Sequence, residues 1–266
     1  MIRDITIGQY YQRESPVHRL DPRTKIIMTI AYIIGIFLVK SYAGFAFATL
    51  CLAVAIAVSR VPLSFILRGL KPIFFIILFT FFLTMFMYGG TVLVKIGPFT
   101  ITDEGFHTAV FMAIRLILLI LGSSMLTLTT RPIQLTDGIE SLLSPLKRFG
   151  VPSHELAMMM TIALRFIPTL LEETDKIMQA QQARGADFES GNIFRRAKNM
   201  IPILVPLFIR AFRIAQDTAL AMEARCYHGG EGRTRMNQIR FAGRDVFAWL
   251  LTSSFIAVII LERTIL

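Results

Sequence analysis

Between Ile26 and Val58 the chain carries one charged side chain, Lys40. A run of 33 residues with a single charge leaves few folds open. One helix needs about 20 apolar residues to cross a bilayer, so this run predicts two short spans turning near Lys40-Ser41. Backbone amides inside hydrocarbon must be satisfied within their own segment, which selects helices. Three more apolar runs follow. Pro72 to Val94 is rich in phenylalanine and closes on Gly89-Gly90, Phe106 to Thr130 contains Arg115, and Val246 to Leu261 is the last. A polar hinge, Ser59-Arg60-Val61-Pro62, precedes Arg68 and Lys71, and a short turn-like link with Gly97-Pro98 runs from Lys95 to Glu104. The prediction is an all-α membrane protein of about five transmembrane helices, with a cytosolic block of amphipathic helices between the fourth and fifth. The expected division is 1–130 for the N-terminal segment and first four spans, 131–245 for the block, and 246–266 for the last span.

Composition agrees. At 54% hydrophobic, with 22 phenylalanines and one tryptophan, the chain is too apolar for an ordinary soluble domain. A net charge of +10 could point to nucleic acid, but the basic residues flank apolar runs and no basic tract interleaves with aromatics. Their placement sets topology instead. Segments 1–25, 59–71 and 131–245 hold 5, 3 and 16 lysines and arginines, 24 of the 28, leaving Lys40, Lys95 and Arg263 for the other side. Positive residues collect on the cytosolic side, so the N-terminus is expected in the cytosol and the C-terminus outside. Cys51 and Cys226 then fall in different compartments, and no disulfide is expected. Eight charges within the first 25 residues, with no early apolar core, speak against a cleavable signal peptide. Arg115, costly at a helix centre, is expected to face protein or water. Snorkelling, a partner within the bundle and a substrate contact are its three possible roles.

Ser15-Pro16-Val17-His18-Arg19-Leu20-Asp21-Pro22-Arg23-Thr24-Lys25 reads as an ordered or interfacial segment, since two prolines interrupt it. Its ordinary role is a charged cap on the first membrane helix. The block 131–245 mixes 16 basic with 12 acidic residues. An amphipathic helix is expected over about 133–148, with Leu135, Ile139, Leu142, Leu143 and Leu146 at helical spacing. A longer one runs from Ser153 to Arg184, with Pro168 inside it and Gly185 placed to end it as a left-handed cap. After a linker through Gly191 comes a short basic helix with Arg195, Arg196 and Lys198. Pro202 opens another helix to about Cys226, with Leu204, Phe208, Ala211, Ala215, Ala219 and Met222 on one face. Both long helices exit through a small-Arg-small tripeptide, Ala183-Arg184-Gly185 and Ala224-Arg225-Cys226. Met158, Met159 and Met160 serve packing, or an adaptable sliding surface.

The motifs of several chemistries are missing. No GxxxxGK[ST] loop, HExxH or GxSxG occurs, and His18, His107, His154 and His228 lack metal-ligand spacing. Carboxylates within the spans are missing too, which argues against a transporter with its own proton relay.

Taken together, Gly8-Gln9-Tyr10, the segment Ser15 to Lys25, Ala183-Arg184-Gly185, and Glu223-Ala224-Arg225-Cys226-Tyr227 followed by Gly229-Gly230-Glu231-Gly232-Arg233-Thr234 resemble the T subunit (EcfT, CbiQ-like family) of energy-coupling factor transporters, over essentially the whole chain. One departure is Cys226, where the motif commonly has glycine. The resemblance implies a non-catalytic scaffold in a bacterial or archaeal cell membrane, with 131–245 forming cytosolic coupling helices. It implies two ABC-type ATPases (an EcfA-type pair) and a substrate-binding S subunit as partners, and uptake of a vitamin or a metal ion. ATP and Mg would be bound by the ATPases, with no cofactor in this chain and no nucleic-acid partner. By the same carry-over Ala183, Arg184, Gly185, Ala224, Arg225 and Cys226 would dock the ATPases, while His18, Arg19, Asp21, Pro22 and Arg23 would form the family's N-terminal motif. A guanidinium offers a rigid fork of donors for such a groove, a contact whose loss costs about 2–5 kcal/mol. The plainer alternative is an exposed arginine complementing its own helix dipole, contributing about 0.3–1 kcal/mol. Two other classes compete: a stand-alone channel or secondary carrier with a cytosolic regulatory domain, and an intramembrane enzyme.

Overall fold

The structure, a computed structural model, describes residues 10–87, 89, 91–96, 99–188, 192, 194, 198–229 and 241–265. Nine helices occur among them: α1 Pro22–Leu38, α2 Tyr42–Ser59, α3 Leu63–Arg68, α4 Phe74–Met87, α5 Asp103–Thr129, α6 Pro132–Leu143, α7 Ser153–Ala183, α8 Ile201–Glu223 and α9 Gly243–Ile265. The fold is that of an all-α membrane protein with one small antiparallel hairpin, β1 Val92–Ile96 and β2 Phe99–Thr102. The chain divides into two compact units, residues 8–138 with 238–266, and residues 139–237.

Local chemistry accounts for the helix ends. Asp21 caps α1, its carboxylate accepting from Arg23 N at 2.8 Å, with Pro22 at the first helical position. Ser41 caps α2 by accepting from Gly44 N at 3.1 Å, and this break at residues 39–41 separates the two expected spans. Thr102 caps α5 by accepting from Gly105 N at 3.2 Å, and Asp103 and Glu104 complement the helix dipole. That helix therefore starts three residues before the apolar run does.

Among the described residues four helices are long and apolar enough to cross a membrane: α2, α5, α7 and α9. Three of these are expected spans. The other two expected spans form shorter helices, α1 with 17 residues and α4 with 14. The run from Pro72 to Val94 is not one helix: α4 ends at Met87, and Val92–Val94 belong to β1. Glycines at 89 and 90 penalise continuation, and β-branched Val92 and Val94 favour a strand once the helix has stopped. The turn-like link is thereby replaced by the hairpin. α7, expected as an amphipathic helix, is the least apolar of the four and carries Glu172, Glu173, Asp175 and Lys176 in its second half. Likewise, the single helix expected over 133–148 is α6 followed by a 3-10 turn, Ser144–Phe149, because Pro145 removes an N–H and clashes with the preceding turn.

In the first unit α5 is the hub, touching α1, α2, α3 and α4, while α9 packs on α1 and α2. Ile36, Ala48, Leu118, Leu128 and Ile259 are buried at their junction. Close approach depends on two glycines. A Cβ on Gly122 of α5 would enter the Tyr32 ring of α1, and one on Gly35 would sit 2.7 Å from the Phe255 ring of α9. Tyr32 also donates to Leu118 O at 3.2 Å. Arg115 finds its partner within the bundle: its Nη2 donates to Val39 O at 2.9 Å, closing the end of α1, and its guanidinium lies 5.8 Å from the Phe45 ring.

Polar latches tie both ends of this bundle. At one end Asp245 of α9 accepts from Asp21 N and from Ala242 N, both at 2.8 Å. Beside it Lys25 donates to His18 O at 3.1 Å and to Thr129 O at 2.9 Å. At the other end the Glu262 carboxylate accepts from Ser41 Oγ and, at 3.1 Å, from Gly44 N.

Candidate functional site

The second unit is built on α7 and α8. Amphipathic periodicity brings Ile162, Phe166 and Leu170 of α7 against the small residues Ala211, Ala215 and Ala219 of α8, around an apolar cleft of about 290 Å³. Glu173 of α7 bridges the pair, 3.2 Å from Lys176 Nζ and 3.8 Å from Arg210 Nε of α8. The predicted α8 face divides in two. Ala211, Ala215, Ala219 and Met222 line the cleft, whereas Leu204 and Phe208 are exposed, together with Val205, Ile209 and Phe212. On α7, Met159 and Met160 are exposed as well. Each helix also contains a proline, Pro168 and Pro206, and runs through it.

The two tripeptides adopt the same backbone geometry at the ends of these helices. At the end of α7, Arg184 N donates to Gln181 O at 3.0 Å, Gly185 N to Gln182 O at 2.9 Å and Ala186 N to Gln181 O at 3.0 Å. At the end of α8, Arg225 N donates to Met222 O at 3.1 Å, Cys226 N to Glu223 O at 2.8 Å and Tyr227 N to Met222 O at 3.0 Å. Position for position this is one Schellman cap. It needs its last tripeptide residue in the left-handed region, and Gly185 has φ +88° while Cys226 has φ +54°. A Cβ on Gly185 would meet nothing within 4 Å, so conformation alone favours glycine there. Cys226 holds the same cap at a cost of about 1–2 kcal/mol for its Cβ, and the departure from glycine leaves the geometry intact. All six tripeptide residues are exposed. Among the described residues neither Arg184 nor Arg225 has an ion pair or a side-chain hydrogen bond. Two unpaired guanidiniums are thus held at the negative ends of two long, mutually packed helices.

The N-terminal segment does different work. His18 Nε2 donates to Tyr11 O at 3.1 Å, and its Nδ1, then unprotonated, accepts from Ser15 Oγ at 2.6 Å. Burial is the first cause that pulls the His18 pKa below its usual value, and the Lys25 charge adds to it. Asp21 and Pro22 start α1, and Arg19 pairs with Glu14 at the surface. These residues build a fold latch, and the signal that sequence reading missed is its distal half, Asp245. Gly8, Gln9, Gly191, Arg195, Arg196 and 230–234 lie outside the described residues. Among the described residues no three His, Cys, Asp or Glu side chains gather as metal ligands would.

These features define a polytopic membrane protein that joins a latched bundle to a two-helix unit with matched ends. Residues 13–236 match the family model CbiQ, described as cobalt transport protein. The energy-coupling factor transporter transmembrane protein EcfT of Thermosediminibacter oceani is 55% identical over 264 residues, covering 99% of this chain and 100% of that one. Its counterpart in Ruminiclostridium cellulolyticum is 58% identical over 261 residues, 98% of each chain, and that of Bacillus subtilis is 47% identical over 262 residues, 98% of this chain and 97% of the relative. The chain belongs to this EcfT family, the transmembrane components of energy-coupling factor transporters.

Proposed function

We propose that the chain is the coupling subunit of an importer that takes up a vitamin or a metal ion. It carries ATP-driven motion from two ABC-type ATPases, which hold the ATP and Mg, to a substrate-binding S subunit. The chain itself performs no catalysis. The observation that carries this reading is the identical cap on two exposed, unpaired arginines, Arg184 and Arg225. A Schellman end fixes the backbone beneath each guanidinium, so a fork of donors is presented without the entropy cost of a loop. Ala183 and Ala224, exposed beside them, let each end sit deep in a groove.

When the ATPases move, the two ends follow. The alanine-lined cleft lets α7 and α8 change their crossing, because small side chains interlock less than branched ones. The exposed apolar faces, Phe208, Ile209 and Phe212 of α8 with Met159 and Met160 of α7, then shift against the S subunit. Charge supports a cytosolic location for these ends and for the N-terminus, with the C-terminus outside. The bundle end that carries the Asp245 latch holds Arg13, Arg19, Arg60, Arg68 and Arg131, and the opposite end holds Asp103, Glu104 and Glu262 with Lys40 and Arg263.

The test is co-purification and uptake with Arg184→Glu and Arg225→Glu. Each single change is expected to weaken ATPase retention, and the double change to abolish retention and uptake while the chain still reaches the membrane. An intact complex with normal uptake in the double variant would refute the proposal.

A further inference from the structure

At the Asp245 end of the bundle, three arginines lie at or beside the join of α2 and α3, with no acidic partner among the described residues. Arg13 Nη1 donates to Arg60 O at 3.0 Å, which holds the Arg13 side chain against the end of α2. Arg60 itself caps α2 at φ +55°. Arg68 stacks over the Phe65 ring at 4.8 Å, and the Tyr11 ring packs against Phe65 with centroids 5.1 Å apart. None of these three arginines forms an ion pair among the described residues, and nearby Glu14 is taken by Arg19.

The helix beside them is amphiphilic in an unusual way. In α3, Ile66 is 0% exposed and anchors the helix to the core, but Leu63 is 62%, Phe65 39% and Leu67 53% exposed. Six residues are too few to span a membrane, so α3 lies at the bundle end, apolar side chains outward and guanidiniums beside them. A ligand that satisfies both halves carries a phosphate and a hydrocarbon chain on one molecule. Guanidinium forks match phosphate oxygens, and desolvation by neighbouring aromatic rings strengthens the contact. A free anion would use the guanidiniums alone and leave the apolar side of α3 out of the site.

We propose that Arg13, Arg60 and Arg68, with the exposed apolar side of α3, form a binding site for an anionic phospholipid, the phosphodiester on the arginines and an acyl chain along Leu63 and Leu67. The site is a feature of the bundle and independent of the tripeptides on α7 and α8.

The test titrates phosphatidylglycerol into the full-length chain in phosphatidylcholine-containing micelles, reading lipid retained per chain by native mass spectrometry. Each basic residue at an anionic surface contributes about fivefold, so Arg13→Gln with Arg68→Gln should weaken retention about thirtyfold. Arg68→Gln alone, which leaves the α2 end untouched, should weaken it about fivefold. Lys147→Gln with Arg148→Gln removes the same charge elsewhere on the surface and should change nothing. Retention by the Arg13/Arg68 pair equal to wild type would overturn the proposal. So would an equal loss in the Lys147/Arg148 pair, which means diffuse attraction. Displacement of the lipid by millimolar inorganic phosphate would also overturn it, because it means a free-anion site.

Discussion

Replacing Asp245 by alanine should unlatch the bundle. Its carboxylate, 1% exposed, accepts two backbone N–H groups at 2.8 Å, from Asp21 and from Ala242. Loss of a hydrogen bond to a charged group costs about 1.5–3 kcal/mol, and Asp21 N would be left buried without an acceptor, while Ala242 N, in an exposed residue, would turn to water. Relief of the buried carboxylate's own desolvation offsets part of this, leaving about 4 kcal/mol. At about 2–4 °C per kcal/mol for a chain of this size, the melting midpoint should fall about 10 °C. Asp245→Asn keeps one acceptor oxygen but turns an N–H toward Ala242, and about half the loss is expected. The assay is thermal unfolding of the purified chain in detergent, read by the fraction that stays monodisperse after heating. A midpoint for Asp245→Ala equal to wild type would refute the latch. So would Asp245→Asn proving no better than Asp245→Ala, since that result means the charge, and not the acceptors, carries the effect.

Gly122→Ala places a methyl group inside the Tyr32 ring and should destabilise the bundle by about 1–3 kcal/mol in the same assay, with Tyr32→Ala on the same background restoring part of the α1–α5 approach. His18, its pKa lowered by burial, binds its proton less readily folded than unfolded. Its contribution is therefore present above about pH 6.5 and is lost as pH falls below that value, so a melting series from pH 7.5 to 5.5 should steepen there, and His18→Gln should flatten it. Cys226→Gly removes a Cβ from a left-handed position and should stabilise the end of α8 by up to about 1 kcal/mol, visible as slower amide exchange at Tyr227, whereas Gly185→Val should loosen the end of α7.

What could be read from sequence, and what could not, follows from range. Local signals carried far: Lys40-Ser41 marked the break between α1 and α2, and Gly185 marked a left-handed cap at the end of α7. Cys226 shows that the cap is set by the hydrogen bonds of the last turn as much as by glycine. The Asp21–Asp245 latch joins residues 224 positions apart, and no periodicity within either segment announces it. Arg115 was legible as costly, but its acceptor, Val39 O, is defined only once α1 packs on α5. The hairpin after α4 was hidden because valines and a leucine continue the apolar count of a span while their strand preference works against the helix.

The most direct measurement of the account's central claim uses the exposed thiol next to Arg225. In a Cys51→Ser background Cys226 is the one thiol of the chain. A hydrophilic maleimide should modify it readily in the isolated subunit. In the proposed assembly with two ATPases the subunit should be protected at Cys226, and Arg225→Glu should restore labelling. Equal labelling rates with and without bound ATPases would contradict the claim that this helix end sits in an ATPase groove.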